Sequence, residues 1–327
     1  MAILAVSNLS MDWGGRTEDT TDLTERDPSY SPTGIRTPIS TPMALQPFPP
    51  PAGDLWLHFR WRTGVSFANG SDGHVLSFFS DNNTLLARLD MSNGSMAAQV
   101  FGDSTVVGTY VQRPSNSTET IDIRLSVTSA EITMDLYMGA GGAPISSATS
   151  ANTVVQKDAP TRLLLDLNDI SNSPTDINYF SEFIITDNED TRGWRLATLE
   201  PNANGTYNEW LGDVAELGDR DPATSASSNT GGQRQSWTPT AYVGPTTVSS
   251  IRAVVAKAQT ARGSGASPAQ IAQFLRLAGV DYDGANNAFL AGERKDITEV
   301  WDDNPATTSP WTTADLAAIE AGLLSVT

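Results

Sequence analysis

The chain has 327 residues, of which 39% are hydrophobic and 18% charged, and its formal net charge at pH 7 is −18. The length suggests two domains, and the hydrophobic fraction together with eight Trp residues can fill real cores, which excludes a chain that is disordered throughout. The strong negative charge is repelled by phosphate backbones and by anionic lipids, which excludes nucleic acid and membrane surfaces as expected partners.

Several residue types that build reactive sites are scarce or missing. The chain has no Cys, which excludes disulfides, thiolate metal sites and cysteine nucleophiles. Its only His residues are His58 and His74, so a histidine-rich metal site is not expected either. The apolar stretch 1–6 is too short for a signal peptide and lacks the basic flank of one. A membrane-spanning helix needs about 18 apolar residues, and no stretch of the sequence approaches that length.

Residues 10–53 form the first segment with a distinct composition. It has few alternating apolar residues and contains the prolines Pro28, Pro32, Pro38, Pro42, Pro47 and Pro49–Pro51. We interpret it as a long irregular arm wrapped on the first domain. A flexible tether and a contact between subunits remain open alternatives.

Alternating apolar and polar residues then predict three strands, at Leu55–Trp61, Ile121–Val127 and Ile132–Met138. Such alternation places one set of side chains on a core face and the other set on the opposite face. Only residues 128–131 separate the last two runs, so these two strands should form a hairpin.

Shorter apolar runs between turn residues predict further strands, and Asn93-Gly94 between two of them is typical of a tight hairpin turn. Antiparallel strands at this spacing indicate a β-sandwich. The runs are Val75–Ser80, Leu85–Asp90, Met96–Phe101, Arg162–Leu167 and Phe180–Thr186.

The pattern changes near residue 200, where we place the boundary between modules 1–200 and 201–327. Asn202–Gly205 is interpreted as a turn. The sequence thus predicts an all-β chain of two tandem antiparallel β-sandwich (jelly-roll) modules with a short C-terminal helix. Strands of the second module are predicted at Gln235–Thr240, Ile251–Thr260 and Glu293–Trp301.

Two segments near the C-terminus carry helix signals. Ser267 and Pro268 resemble a helix start, and the apolar residues that follow have a helical period, so local rules favour a helix at about 268–278. Thr312 and Asp315 resemble a capping box, which predicts a helix at 313–321. Gly322 should end that helix, and Leu323–Val326 should form a last edge strand.

Two segments resemble parts of tailed-bacteriophage virion proteins. Tyr179–Arg195 reads YFSEFIITDNEDTRGWR and is similar to the end of a concanavalin-A-like (laminin-G-type) jelly roll in such proteins. Residues 299–323, with NPATTSPWTT inside them, are similar to a C-terminal β-sandwich module common in phage proteins. In that module the segment at 268–278 is a strand, against the local interpretation above.

The resemblance implies a non-enzymatic virion structural protein, made in the host cytoplasm and placed on the particle as capsid decoration, spike or tail fibre component. Its expected partners are other virion proteins and copies of itself, with host surface polysaccharide as a candidate ligand. No cofactor is expected other than calcium. A carbohydrate-active enzyme and a secreted lectin-like glycan-binding protein are the competing hypotheses.

Asp187, Glu189 and Asp190 are the candidate metal ligands. They follow a predicted strand in a presumed loop, where grouped carboxylates suit Ca²⁺, and concanavalin-A-like modules often carry such a site. The alternative is a solvated acidic turn in which Asp190 pairs with Arg192 or Arg195. Asp302, Asp303 and Asn304 make a similar case and are more simply interpreted as turn formers.

Trp56 and His58 alternate with the apolar set of their strand and should lie on the face opposite the core. Trp56 is therefore the candidate for a glycan or partner surface, whereas Trp61 belongs to the core set. For His58 we expect a surface or inter-sheet role, because no Gly-x-Ser-x-Gly elbow accompanies it. The carboxylate stretch of laminarinase-type glycosidases, Glu-x-Asp-x-x-Glu, is absent from the sequence, which argues against glycoside hydrolysis.

Overall fold

The computed structural model describes residues 2–7, 13, 35–38, 43–45, 47–63, 72–112, 118–165, 177–218, 224–244, 248–263 and 268–326. The predicted all-β class is confirmed: these residues form antiparallel sheets with two short helices. They divide into two compact units, Met1–Thr198 and Leu199–Thr327. Neither helix of the described part has the length and apolar character needed to cross a membrane.

The first unit is built from two antiparallel sheets. One has the strand order β1-β14-β4-β10-β11-β12 with β2 paired to β14, and the other has β3-β13-β5-β6-β7-β8 with β9 paired to β7. The strands are β1 (Ala2–Ser7), β2 (Ile35–Pro38), β3 (Met43–Ala44), β4 (Leu55–Thr63), β5 (Asp72–Ser80), β6 (Leu85–Ser92), β7 (Ser95–Phe101), β8 (Thr105–Val107), β9 (Val111–Gln112), β10 (Thr118–Val127), β11 (Glu131–Met138), β12 (Ser146–Ala151), β13 (Pro160–Leu165) and β14 (Ile177–Asp187).

Alternation along these strands places one side-chain set in a single core between the sheets. Trp61 stacks on Phe180 and Phe59 stacks on Phe183, with ring centroids 6.0 and 5.4 Å apart, and all four side chains are buried. Burying an aromatic or large aliphatic side chain contributes about 1.5–3 kcal/mol. The core position predicted for Trp61 is thus observed.

The predicted hairpins are observed. β10 pairs with β11 from Ile121↔Met138 to Val127↔Ile132. Asn93 and Gly94 have φ angles of 48° and 76° and connect β6 to β7 directly after the pair Ser92↔Ser95. Two consecutive left-handed residues are what a tight hairpin turn requires, and Asn-Gly adopts them at low cost.

The proline-rich segment 10–53 is less irregular than predicted where the structure describes it. Its strand β2 pairs with β14 and its strand β3 pairs with β13, because both sheet edges offer unpaired backbone groups. Trp13 is 1% exposed and donates from Nε1 to Ser7 Oγ at 2.9 Å. Most of 10–34 lies outside the described residues, so the inter-subunit role of this segment stays a prediction. The predicted strand end at Leu167 also lies outside the described residues.

The second unit contains a sheet of order β15-β16-β22-β18-β19, with β20 paired to β18, and a separate ribbon β17-β21. Two small apolar clusters, one around Trp311 and one around Phe289, pack beneath them. The elements are β15 (Pro201–Asn208), α1 (Val214–Gly218), β16 (Arg234–Pro239), β17 (Val254–Ala261), β18 (Gln270–Leu277), β19 (Val280–Asp283), β20 (Asn287–Ala288), β21 (Arg294–Trp301), α2 (Thr313–Leu316) and β22 (Glu320–Val326).

Two local predictions in this unit are wrong. The segment 268–278 is strand β18 and not a helix, as the phage-module resemblance implied. β18 lies between β22 and β19 and buries residues on both faces. Its sequence therefore lacks the alternation of apolar and polar residues, and the apolar residues match a helical period instead. Asn202–Gly205 is part of strand β15 and not a turn, because β15 completes the sheet edge beside β16.

The C-terminal helix is shorter than predicted. Its capping box is present, with Thr312 and Asp315 bonded to each other's backbone, but the helix ends at Leu316. Gly322 lies inside β22 and does not end a helix: a Cβ there would lie 2.3 Å from Phe274 Cζ, so only glycine fits. β22 is a central strand between β16 and β18, not an edge strand.

Candidate functional site

The outer face of the first sheet of unit 1 carries a polar layer. Residues 188–196, called here the cap segment, follow β14 and lie over the outward side chains of β4, β10 and β11. The stretch Tyr179–Arg195 therefore consists of most of β14 and most of this cap. Its polar residues make three groups of contacts with the sheet.

His58, Asp122 and Thr191 form the first group. Asp122 Oδ1 contacts His58 Nδ1 at 2.9 Å and accepts from Thr191 Oγ1 at 2.8 Å. All three residues are fully buried, so the predicted outward direction of His58 is correct but its solvent or inter-sheet position is wrong: the cap covers it. His58 Nε2 and Asp122 Oδ2 have no hydrogen-bond partner among the described residues.

An imidazole oriented by a carboxylate is also the arrangement of a general base. A base must reach the proton that it removes, directly or through one water. Here the imidazole is closed off from solvent, and the only hydroxyl of the group, on Thr191, donates to Asp122. The arrangement therefore connects the cap to the sheet, with the imidazole buried beneath the cap in this conformation.

Glu182 is the centre of the second group. It lies at a register shift between β14 and β4, has φ = +58°, and is fully buried. Arg195 donates from Nε and Nη2 to its two carboxylate oxygens at 2.7 and 2.8 Å, and Arg60 Nε lies 3.7 Å away. A left-handed non-glycine residue is strained, and at this register shift the Glu182 carboxylate faces Arg195.

Trp56, Tyr137 and Arg192 form the third group. Trp56 stacks on Tyr137 at 5.5 Å, and the Arg192 guanidinium lies 5.6 and 4.7 Å from the two ring centroids. Trp56 is only 8% exposed, so the prediction of an open glycan or partner platform at this residue is corrected: the arginine occupies the ring face. Arg192 also donates to Gly142 O at 2.9 Å.

The three predicted calcium ligands do not converge. Asp187 Oδ1 accepts from Gly53 N at 2.9 Å, and Asp190 pairs with Arg192, as the alternative interpretation expected. The hydrogen bond from Arg192 lowers the pKa of Asp190. No three His, Asp or Glu side chains of the described residues are grouped to hold a metal ion. Calcium at Asp187, Glu189 and Asp190 stays a prediction, which a calcium titration of the melting temperature would test.

Asn304 has the turn role that the sequence suggested. It is buried, and its Oδ1 accepts from Ala306 N at 2.9 Å, which is an Asx turn directly before Pro305. Asp302 and Asp303 are exposed beside it.

Sequence reasoning missed Asp122, Glu182 and Thr191. His58 and Asp122 both belong to the polar set of an alternating strand, but only the pairing of β4 with β10 makes them neighbours. The acidic residue inside the apolar run Phe180–Ile185 was the available signal for Glu182. A buried carboxylate in such a run requires a cation, and Arg195 supplies it.

A second candidate site is a cleft of about 660 Å³ in unit 2, within the usual volume range of ligand pockets. Its walls combine polar side chains (one amide, three threonines and one tyrosine) with apolar residues that include Leu316 and Ile319. Glu320 lies at its margin and accepts from Thr206 N and Ser236 Oγ at 2.7 and 3.0 Å. The lining includes Asn202, Thr238, Thr240, Tyr242, Thr313 and Glu320.

Burial raises the pKa of Glu320, but its hydrogen bonds with Thr206 and Ser236 outweigh that effect and the pKa is lowered overall. The carboxylate is therefore ionised at neutral pH. An ionised acceptor beside neutral hydroxyl groups can accept hydrogen bonds from a polar ligand.

No protein-family model matches the chain, and no curated protein matches its sequence. Solved structures with low overall similarity include the binding domain of botulinum neurotoxin serotype G, at 7% identity and a TM-score of 0.37, covering 57% of this chain and 44% of that one. The catalytic domain of a glycoside hydrolase family 131 protein from Coprinopsis cinerea has 13% identity and a TM-score of 0.36, covering 57% and 85%.

A carbohydrate esterase, vb_24B_21 from Shiga toxin-encoding bacteriophage phi24B, has 10% identity and a TM-score of 0.33, covering 57% of this chain and 90% of that one. The chain thus spans less than half the length of the neurotoxin binding domain. At these identities and TM-scores the likeness carries no conclusion about the fold or the function of this chain.

Proposed function

We propose that this chain is a non-enzymatic structural protein on the surface of a tailed-phage particle and acts by binding other proteins. The observation that supports it most is the use made of the phage-like stretch 179–195. Glu182, Thr191, Arg192 and Arg195 of this stretch contact the chain's own sheet or each other. The stretch that carries the resemblance therefore builds a rigid scaffold, as a structural role requires.

The state of the buried carboxylates supports binding over catalysis. A retaining or inverting glycosidase needs two carboxyl groups that both face the sugar. In the cap region, Glu182 is held by Arg195 and Asp122 by His58 and Thr191, and both are fully buried. Neither can reach a sugar ring without displacement of the cap.

Glycan binding is the second candidate function, and the cleft of unit 2 favours it. The cleft joins threonine hydroxyls, the Asn202 amide and the Tyr242 ring to apolar residues, and a sugar likewise presents hydroxyl groups and apolar faces. A glycan array and calorimetry with the full chain would test this. We expect Tyr242→Ala to weaken any binding about tenfold, and equal binding by this variant would remove the cleft as the site.

The proposal gives the chain a virion location, with other particle proteins and copies of itself as partners. Particles repeat their parts by symmetry, so three, five or six copies per assembly are consistent with it. Quantitative mass spectrometry of purified particles tests the proposal. We expect the chain in a fixed integral ratio to a major head or tail protein. Its absence from particles, together with sugar release from polysaccharide by the purified chain, would overturn it.

A further inference from the structure

Residues 152–158, called here the knob loop, are clamped at their base. Asn152 is fully buried, and its Nδ2 donates to Thr128 O at 2.7 Å and to Lys157 O at 3.1 Å. Its Oδ1 accepts from Lys157 N at 2.9 Å. One side chain therefore ties both ends of the loop to each other and to the β10–β11 turn, which holds the base of the loop in place.

Asp103 holds the front of the same loop from a neighbouring turn. Its carboxylate accepts from Thr153 N, from Thr153 Oγ1 and from Val154 N, at 3.1, 2.7 and 3.0 Å. The hydrogen bond from the Thr153 side chain, followed by that from the Val154 backbone, lowers the pKa of Asp103. Charge-assisted bonds of this kind are the stronger class, so the tip of the loop is fixed as well as its base.

The residues at this fixed tip are two adjacent valines. Val154 is 80% exposed and Val155 is 72% exposed. Burial of an apolar side chain is favourable, and the fold leaves both valines exposed to solvent. A loop that is already rigid loses little entropy when it binds, so a preorganised apolar tip is suited to docking.

The charges around the tip identify the kind of partner. Two exposed carboxylates lie near the valines: Asp103 accepts from Val154 N, and Asp158 follows Val155 by three residues. Lys157, the cation of the loop, points inward and donates from Nζ to Phe101 O, and burial lowers its pKa. The tip is therefore apolar with an acidic border. It is complementary to an apolar recess bordered by Lys or Arg, whereas the same acidic tip of another copy of this chain would repel it.

We propose that the Val154–Val155 tip is the surface through which this chain docks on a second protein of the particle, one that offers an apolar recess with a basic border. This inference rests on the proposed particle function. It adds the location of the contact and the chemistry of the partner.

The test uses particles produced with either the wild-type chain or the double variant Val154→Ser/Val155→Ser. Chain copies per particle are counted by quantitative mass spectrometry. We expect the double variant to be about tenfold less abundant on particles, while its melting temperature is unchanged. The matched control is Leu211→Ser/Leu290→Ser, which changes two residues that are 81% and 77% exposed in unit 2 and should leave the copy number unchanged.

A charge variant checks the border separately. Asp158→Lys should lower the copy number and Asp158→Asn should lower it less, because repulsion from a basic partner exceeds loss of attraction. Wild-type copy numbers for the valine variant on particles that carry the wild-type chain would overturn the docking inference alone. Absence of the wild-type chain from particles would overturn the proposed function and this inference together. Valine-dependent binding to phosphatidylcholine vesicles would replace the protein partner by a lipid surface.

Discussion

Thr191 donates a hydrogen bond from Oγ1 to Asp122 Oδ1 across 2.8 Å, and this bond joins the cap segment to the sheet of the first unit. Asp122 is in turn hydrogen-bonded to His58 on the neighbouring strand β4. The cap is thus attached to β10 and, through β10, to β4. Its attachment explains why Trp56 and His58, on the face away from the core, are both buried.

Replacing Thr191 by Val should destabilise the chain by about 1.5–3 kcal/mol, the range for hydrogen bonds to charged groups. Urea denaturation followed by tryptophan fluorescence measures this change. Thr149→Val is the matched control, since Thr149 makes an exposed side-chain contact with Thr133 and should change stability by less than about 0.5 kcal/mol. Equal effects of the two substitutions would contradict the role given to Thr191.

Glu182 and Arg195 should be energetically coupled. Glu182→Gln leaves the Arg195 guanidinium without its buried counter-charge, and we expect a loss of about 3 kcal/mol. Arg195→Met and the double variant complete a thermodynamic cycle, in which a coupling energy of about 1 kcal/mol or more is expected. If the stability losses of the two single variants simply add in the double variant, Glu182 and Arg195 are not coupled and this prediction is wrong.

Gly322→Ala should cost about 3 kcal/mol through overpacking in β22. The new methyl group would lie 2.3 Å from the buried Phe274 ring and 2.5 Å from Gln235 O, and neither can move freely. Gly141→Ala is the control, because a Cβ there meets no atom within 4 Å. Thermal denaturation of both variants measures the loss of stability. If Gly322→Ala melts at the wild-type temperature, the close packing of Gly322 in a central strand is contradicted.

Asp281 should make the stability of the chain depend on acidic pH. Burial raises its pKa, but hydrogen bonds from Arg276 and Tyr207 and the charge of Arg234 outweigh this and lower the pKa overall. Because the folded-state pKa is below the unfolded value of about 3.9, the stabilisation is present above that pH and is lost as pH falls through the folded pKa.

The measurement is the melting temperature of wild type and Asp281→Asn between about pH 7 and about pH 3. The variant should melt below wild type at about pH 7, and the difference should shrink towards about pH 3. Asp303→Asn, at an exposed position of the same unit, should melt like wild type at neutral pH. A wild-type advantage that persists unchanged in acid would contradict the ionised Asp281.

The all-β class and most strands of the first unit follow from local signals. Alternation over Leu55–Trp61 and the Asn93-Gly94 turn are decided by neighbouring residues alone, and both predictions hold. The helix predicted at 268–278 was wrong because a strand buried on both faces has no clean alternation. Its apolar residues can then match a helical period. The predicted length of α2 was wrong because the residues that follow it pair with the sheet as β22. This pairing outweighs their local helix preference.

The cap contacts could not be predicted because they depend on which strands are neighbours. His58 and Asp122 are 64 residues apart, and only the antiparallel pairing of β4 and β10 brings them together. Trp56 lies on the predicted face of its strand, but it is buried and not exposed because Arg192, from a segment far along the chain, lies over its ring. Strand alternation predicts the face of a residue and cannot predict what covers that face.

The most direct test of the account is electron cryo-microscopy of purified phage particles that carry this chain. We expect density for two β units repeated by the symmetry of a capsid, spike or tail, with the knob loop at a contact to a second protein. Particles without such density, combined with sugar release by a soluble monomer, would contradict the structural role and restore the carbohydrate-active enzyme.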